Sequence, residues 1–162
     1  MEALSLKPNI LVVDDSRTIR DMMADEIKAL GYNVQTAGSG EEALKVIRQE
    51  LSRIGFVFLD MRLPGLSGSE LIQKIIATKP DITIVMMTSY ESPDSTVEIG
   101  ESGVHGFALK PIEPRYIEGH IRRAVKLQQY INYYKQLSQS LQGEVNELCK
   151  ELGKKPRYNP DK

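Results

Sequence analysis

The stretch Ile10-Leu11-Val12-Val13-Asp14-Asp15 decides how this chain folds. An apolar run ends abruptly on two acids, and the same punctuation recurs. Phe56-Val57-Phe58-Leu59 ends at Asp60, and Phe107-Ala108-Leu109 ends at Lys110-Pro111. A further run over residues 82–87 ends at Thr88. Short, continuous apolar runs mark strands buried on both faces, as in parallel sheets. In an open parallel sheet the ligand crevice lies at the carboxyl ends of the strands. If these runs are strands of one sheet, three carboxylates, a hydroxyl and an ammonium meet at one edge. That is a magnesium-and-phosphoryl site in outline.

Helical patterns fill the intervals. Ile19, Met22, Met23, Ile27 and Leu30 recur at helical spacing, with Ser16 as the expected cap and Gly31 as the stop. Residues 33–37 read as a strand. Ser39-Gly40-Glu41-Glu42 is a capping-box pattern ahead of Ala43, Leu44, Ile47 and Leu51. Pro64-Gly65-Leu66-Ser67-Gly68 reads as a loop. Leu71, Ile72, Ile75 and Ile76 predict a third helix ending near Lys79-Pro80. A weakly apolar fourth helix is expected over residues 93–101, and the chain from Pro114 to Gly153 reads as helical. Strands alternating with helices predict an α/β fold, a doubly wound five-stranded parallel sheet.

Bulk properties narrow the function. At 162 residues the chain fits one domain plus an extension. A net charge of −1 argues against a generally basic nucleic-acid binder. One cysteine, Cys149, excludes an internal disulfide and a cysteine-rich zinc site, which suits a reducing compartment. No apolar run approaches the ~20 residues of a membrane span. The first residues lack the basic-then-apolar pattern of a signal peptide. The expectation is a soluble, cytoplasmic protein with no membrane association and no direct nucleic-acid binding.

The strand-end residues suggest their own chemistry. Three neighbouring carboxylates repel one another, so keeping all of them ionised requires a cation. Mg²⁺ takes oxygen ligands, keeps several waters and accepts phosphate oxygens. Lys110 adds a fixed positive charge for a phosphoryl oxygen, and Thr88 offers a hydroxyl donor. Nucleophile, metal and cationic clamp are the minimum set for phosphoryl transfer to a carboxylate. Singly, each signal has an ordinary explanation: a helix N-terminus for Asp14-Asp15, a turn for Lys110-Pro111, β-propensity for Thr88. Their joint order at four strand ends does not.

These segments together resemble the receiver domain of bacterial two-component response regulators. The likeness rests on ILVVDDS at the first strand, FLDMRLPGLSG around Asp60, MMTS at Thr88 and GVHGFALKP through Lys110, and it covers roughly residues 8–126. The resemblance implies a flavodoxin-like sheet of strand order 2-1-3-4-5. It implies that Asp60 accepts a phosphoryl group from the phosphohistidine of a sensor histidine kinase or phosphotransfer protein. Asp15 and Asp60, with the backbone carbonyl of Arg62, would bind Mg²⁺ directly, and Asp14 through a water. Lys110 and Thr88 would hold the phosphoryl oxygens, and the Lys110–Pro111 peptide would be cis. Thr88 and Phe107 would form the conformational switch, and Arg62 and Tyr90 would flank the phosphoryl pocket. Such a domain is a regulatory switch rather than a turnover enzyme. Two rivals stand beside it. One is a Mg²⁺-dependent phosphohydrolase of haloacid-dehalogenase type, which usually has D-x-D where this chain has Arg62 two residues after Asp60. The other is an interaction module that is never phosphorylated.

Beyond the sheet the composition shifts near Leu127. Ile117, Ile121 and Val125 recur every four residues and are expected to cover the sheet. A second stripe runs Ile117, His120, Ala124, Leu127, Ile131, Tyr134, Ser138, Leu141, Val145, Leu148 and Leu152. Its steps alternate three and four, the heptad pattern of a coiled coil. The expected organisation is an N-terminal arm (1–8), a receiver domain (9–126), a coiled-coil extension continuous with the last helix (127–153) and a disordered basic tail (154–162). A parallel homodimer through that helix is the expected assembly, its output not visible in the sequence. A single amphipathic helix folded back on its own domain is the competing reading.

Overall fold

The computed structural model describes residues 7–89 and 103–153. The expected helix over 93–101, Tyr90, most of the N-terminal arm and the basic tail lie outside the described residues. Among the described residues, five strands form one sheet: β1 (Asn9–Val13), β2 (Val34–Ala37), β3 (Ile54–Asp60), β4 (Thr83–Thr88) and β5 (Gly106–Leu109). Every pairing is parallel, in the order β2-β1-β3-β4-β5. The helices are α1 (Arg17–Ala29), α2 (Gly40–Gln49), α3 (Gly68–Thr78) and α4 (Pro114–Glu151).

The two-residue period of a strand splits the core in two. Leu11, Val13, Val57, Leu59, Ile84 and Met86 point to one face and pack with Ala43 and Ile47 of α2 and Leu71 and Ile75 of α3. Ile10, Val12, Phe56, Phe58, Val85 and Met87 point to the other and pack with Met23 and Ile27 of α1 and Ile117 and Ile121 of α4. Burial on both faces explains why the strands read as unbroken apolar runs rather than as alternation. Strand β3 runs longer than the apolar run, taking in Ile54 and Gly55, and all seven of its residues are buried.

Helix ends follow local chemistry, with three departures from expectation. Ser16 precedes α1 but makes no side-chain cap; instead Asp14 Oδ1 accepts the Ser16 N–H at 2.9 Å. The Ser39 hydroxyl oxygen accepts the Glu42 N–H at 3.2 Å, but Glu42 turns to the Gly38 N–H rather than completing the box. The complete box lies at α3, in the segment read as loop. The Ser67 hydroxyl oxygen accepts the Glu70 N–H, and a Glu70 carboxylate oxygen accepts the Ser67 N–H. Those bonds hold the Glu70 carboxyl below its ordinary pKa.

The chain divides into two compact units, Met1–Gln128 and Gln129–Lys162. The first takes the opening turns of α4 into its core, where Ile117, Ile121, Ala124 and Gln128 are buried and Val125 is half-buried. Ile117 and Ala124 are therefore core residues, although the heptad stripe also runs through them. A seam open to a partner cannot begin as early as the sequence pattern suggests. In the second unit the helix runs to Glu151, and Tyr134, Leu141, Val145, Leu148 and Leu152 of the stripe are exposed. Among the described residues no helix is long and apolar enough to cross a membrane.

Candidate functional site

The carboxyl ends of β1, β3, β4 and β5 gather the residues that punctuate the apolar runs. Asp14 and Asp15 follow β1, Asp60 closes β3, Thr88 closes β4, and Lys110 follows β5. Register fixes them. Asp60 pairs with Met87, and Thr88 with Leu109. Past the strands, the Met61 N–H donates to the Met87 carbonyl, and the Lys110 N–H donates to the Thr88 carbonyl. The connecting loops thus leave the sheet in fixed directions.

The centre is one ammonium between two buried carboxylates. Lys110 Nζ lies 2.7 Å from Asp14 Oδ2 and 2.7 Å from Asp60 Oδ2. Asp14 is fully buried and Asp60 nearly so, while Asp15 is exposed. Oxygens of all three acids lie within 4.8 Å of one another. Burial alone would lower the Lys110 pKa, but the close ion pairs with the Asp14 and Asp60 carboxylates outweigh it and hold the ammonium above its ordinary value. The opposite oxygens are also held. Asp14 Oδ1 accepts from the Ser16 N–H, and Asp60 Oδ1 accepts from the Arg62 N–H at 3.1 Å.

The set fits a hard divalent cation. Three carboxylates outnumber one ammonium, so the cluster keeps a negative excess. Asp14 Oδ2, buried, contacts the Lys110 charge without a hydrogen bond of proper geometry. Clustered carboxylate oxygens with an exposed member suit an ion that takes oxygen ligands and retains water.

Arg20 was not legible as a site residue. Its Nη1 donates to the Asp14 carbonyl at 2.6 Å and to the Asp15 carbonyl at 3.0 Å. A charged residue on the first turns of an amphipathic helix carries no signal of this in sequence. Gly38 is the counterpart, since a Cβ there would come within 3.2 Å of Arg20 Nη1. Thr88 is half-buried, its hydroxyl 3.4 Å from the Ser89 carbonyl. Phe107 is 43% exposed and so is not a core aromatic in this conformation. The Lys110–Pro111 peptide is cis, as the resemblance implies.

Comparison with known proteins gives the family. Residues 10–122 match the family described as the response regulator receiver domain. The chain belongs to that family. Receiver domains are signalling modules of two-component systems, and they bind Mg²⁺ at an acidic cluster of the kind formed by Asp14, Asp15 and Asp60. A relative from Cyanidium caldarium, "Probable transcriptional regulator ycf27", is 34% identical over 152 residues, covering 88% of this chain and 60% of its own length. The transcriptional regulatory protein AfsQ1 of Streptomyces coelicolor is 32% identical over 120 residues, covering 74% of this chain and 52% of its own length. This receiver chain thus spans about half to three fifths of those relatives. Among solved structures, a chain described as adenylate cyclase from Rhodopirellula baltica superposes with a TM-score of 0.76 at 27% identity, covering 83% of this chain and 98% of its own. The chemotaxis protein CheY4 of Vibrio cholerae superposes at 0.67 and 28% identity, covering 72% and 98%.

Proposed function

We propose that Asp60 is the phosphoryl acceptor of this receiver domain and that its acylphosphate switches the protein's output. The observation that carries this is the placement of Lys110 Nζ at 2.7 Å from both Asp60 and Asp14. An Asp60 oxygen attacks the phosphorus of a partner's phosphohistidine. The P–N bond breaks, a P–O bond forms, and the departing imidazole takes up a proton. The donor is a sensor histidine kinase or a phosphotransfer protein, the partner class of the family.

Each neighbour has a part that its position supports. Lys110 pairs with the new phosphoryl oxygens, and Thr88 turns its hydroxyl toward one of them. Asp15, Asp60 and the Arg62 carbonyl would hold Mg²⁺, with Asp14 acting through a water, and the ion when bound would supply charge neutralisation for the acidic cluster and the transferring group. Phe107, exposed at 43%, moves into the space that Thr88 vacates. The product is a conformational change within one chain, which makes this domain a switch rather than a turnover enzyme. No membrane association or direct nucleic-acid contact is part of this reading, and the cytoplasm is its setting.

The receiver, extending from residue 9 to the shift near Leu127, passes the change to the helix that follows. Two copies pair through the stripe from Ile131 to Leu152, whose exposed apolar residues lose water on association. Incubation with acetyl phosphate and Mg²⁺, read by intact mass, tests the acceptor. One phosphoryl group is expected on the native chain and none on Asp60→Asn; equal labelling of both would overturn the assignment. Light scattering on the same samples reads the dimer, and a monomer at tens of micromolar under all conditions would remove it.

A further inference from the structure

The second face of the sheet carries a cleft that shares no residue with the acidic cluster. It lies between β4, β5 and α4, with a volume of about 170 Å³. That is room for several waters, and so for a compact oxyanion. Among the described residues its charged and titratable lining is entirely nitrogen: His105, His120 and Arg123. These include both histidines of the chain. Strand β4 contributes Thr83 and Val85, and β5 contributes Gly106 and Phe107, none of them charged.

The nitrogen groups present donors. His105 Nδ1 accepts the Ile84 N–H at 3.2 Å, which leaves the proton of the neutral ring on Nε2 as a donor. His120 stacks edge-on against Phe58, with ring centroids 6.2 Å apart, and among the described residues it has no hydrogen-bond partner. Nor does any carboxylate pair with Arg123 among the described residues, whereas Arg115 and Arg122 on the same helix each have a glutamate. An arginine left without an acid beside two imidazoles, around a cavity of this size, is an uncompensated positive site.

We propose that this cleft binds a small dianion, a phosphoryl or dicarboxylate group, held by Arg123, His120 and His105. Binding requires no phosphorylation of Asp60 and does not rest on the function proposed above. Burial, and then the nearby Arg123 charge, hold His120 below its ordinary pKa, so a bound anion would raise that value again. Affinity should accordingly rise as pH falls through the histidine range.

Imidazole NMR on the full chain tests this, without Mg²⁺ and at constant ionic strength set with NaCl. Inorganic phosphate and succinate are titrated separately. Saturable shifts of both histidine rings are expected with at least one of them, and His120 should titrate at higher pH in its presence. Response to phosphate alone assigns a phosphoryl ligand, to succinate alone a dicarboxylate, and to both a site for compact dianions. Arg123→Gln should weaken binding about tenfold, the loss expected for a charged hydrogen bond. The side chain is exposed, so folding should be unaffected. Shifts that match the NaCl control for both anions, or unchanged affinity in Arg123→Gln, would overturn the proposal.

Discussion

The Gln128 amide nitrogen donates to the Thr83 hydroxyl oxygen at 2.8 Å, and both residues are buried. The same nitrogen donates to the Asp81 carbonyl at 2.6 Å. One polar side chain thus pins α4 to the entrance of β4, at the last residue of the first compact unit. Gln128→Leu leaves the Thr83 hydroxyl and the Asp81 carbonyl with a bond fewer. A loss of about 1–3 kcal/mol is expected from the penalty for an unsatisfied buried group. Urea unfolding measures it. Pairing Gln128→Leu with Thr83→Val should recover part of the loss, because both polar partners are then gone.

Lys110 is the counter-charge to Asp14 and Asp60. Lys110→Met leaves those buried carboxylates uncompensated and should cost about 3 kcal/mol, near the lower end for breaking a buried pair. Millimolar Mg²⁺ should restore part of that stability and should stabilise the variant more than the native chain. The pH dependence has a definite sign. The folded-state pKa of Lys110 is raised, so its contribution is complete below the ordinary lysine value of about 10.4 and fades as pH rises through the folded value. The stability gap between native and Lys110→Met should stay level from neutral pH to about 9 and close only above the lysine range.

Arg20 clamps two successive carbonyls of the Asp14-Asp15 loop. Arg20→Ala should lower Mg²⁺ affinity severalfold, with a stability loss of about 1–2 kcal/mol from two hydrogen bonds in a partly exposed setting. Calorimetric titration with Mg²⁺ gives the affinity. Arg20→Lys should recover part of the loss, since both bonds come from the single nitrogen Nη1 and an ammonium also carries more than one N–H, though on a shorter and more flexible stem.

Gly55 lies under Pro8. A Cβ at position 55 would stand 2.7 Å from Pro8 Cβ, closer than such atoms approach. Gly55→Ala should therefore destabilise by about 1–3 kcal/mol, as overpacked cores do. Adding Pro8→Gly removes the opposing atom and should return most of the loss, a rescue visible in thermal unfolding. Equal destabilisation with and without Pro8→Gly would place the cost elsewhere.

The fold was legible because of how parallel sheets are buried. Ile10 through Val13 and Phe56 through Leu59 must be apolar at every position, since each face meets a helix layer. The first charge past each run then marks the carboxyl end, so Asp14, Asp60 and Lys110 announced both the sheet and its crevice. The features that escaped depend on partners distant in sequence or on competing local signals. Gln128 reads as a surface residue, and its partner Thr83 lies 45 residues away. Ser67 and Glu70 spell a capping box, but the surrounding Pro64, Gly65 and Gly68 read as a loop. Ile117 fits the heptads and the sheet-facing face alike, and Ala124 reads as a heptad position, yet the folded core takes both. Phe107 is apolar, yet its position on β5 leaves it 43% exposed.

Helix α4 answers to two masters along its length. Up to Gln128, a substitution on its buried face is felt by the core and by every strand packed there. Beyond it, the exposed apolar side chains of the described residues belong to the second compact unit and to neither buried cluster of the sheet. Gln128 and Gln129 are therefore a natural splice point. A foreign helix joined there in phase would leave the buried face of α4, from Ile117 to Gln128, as it is.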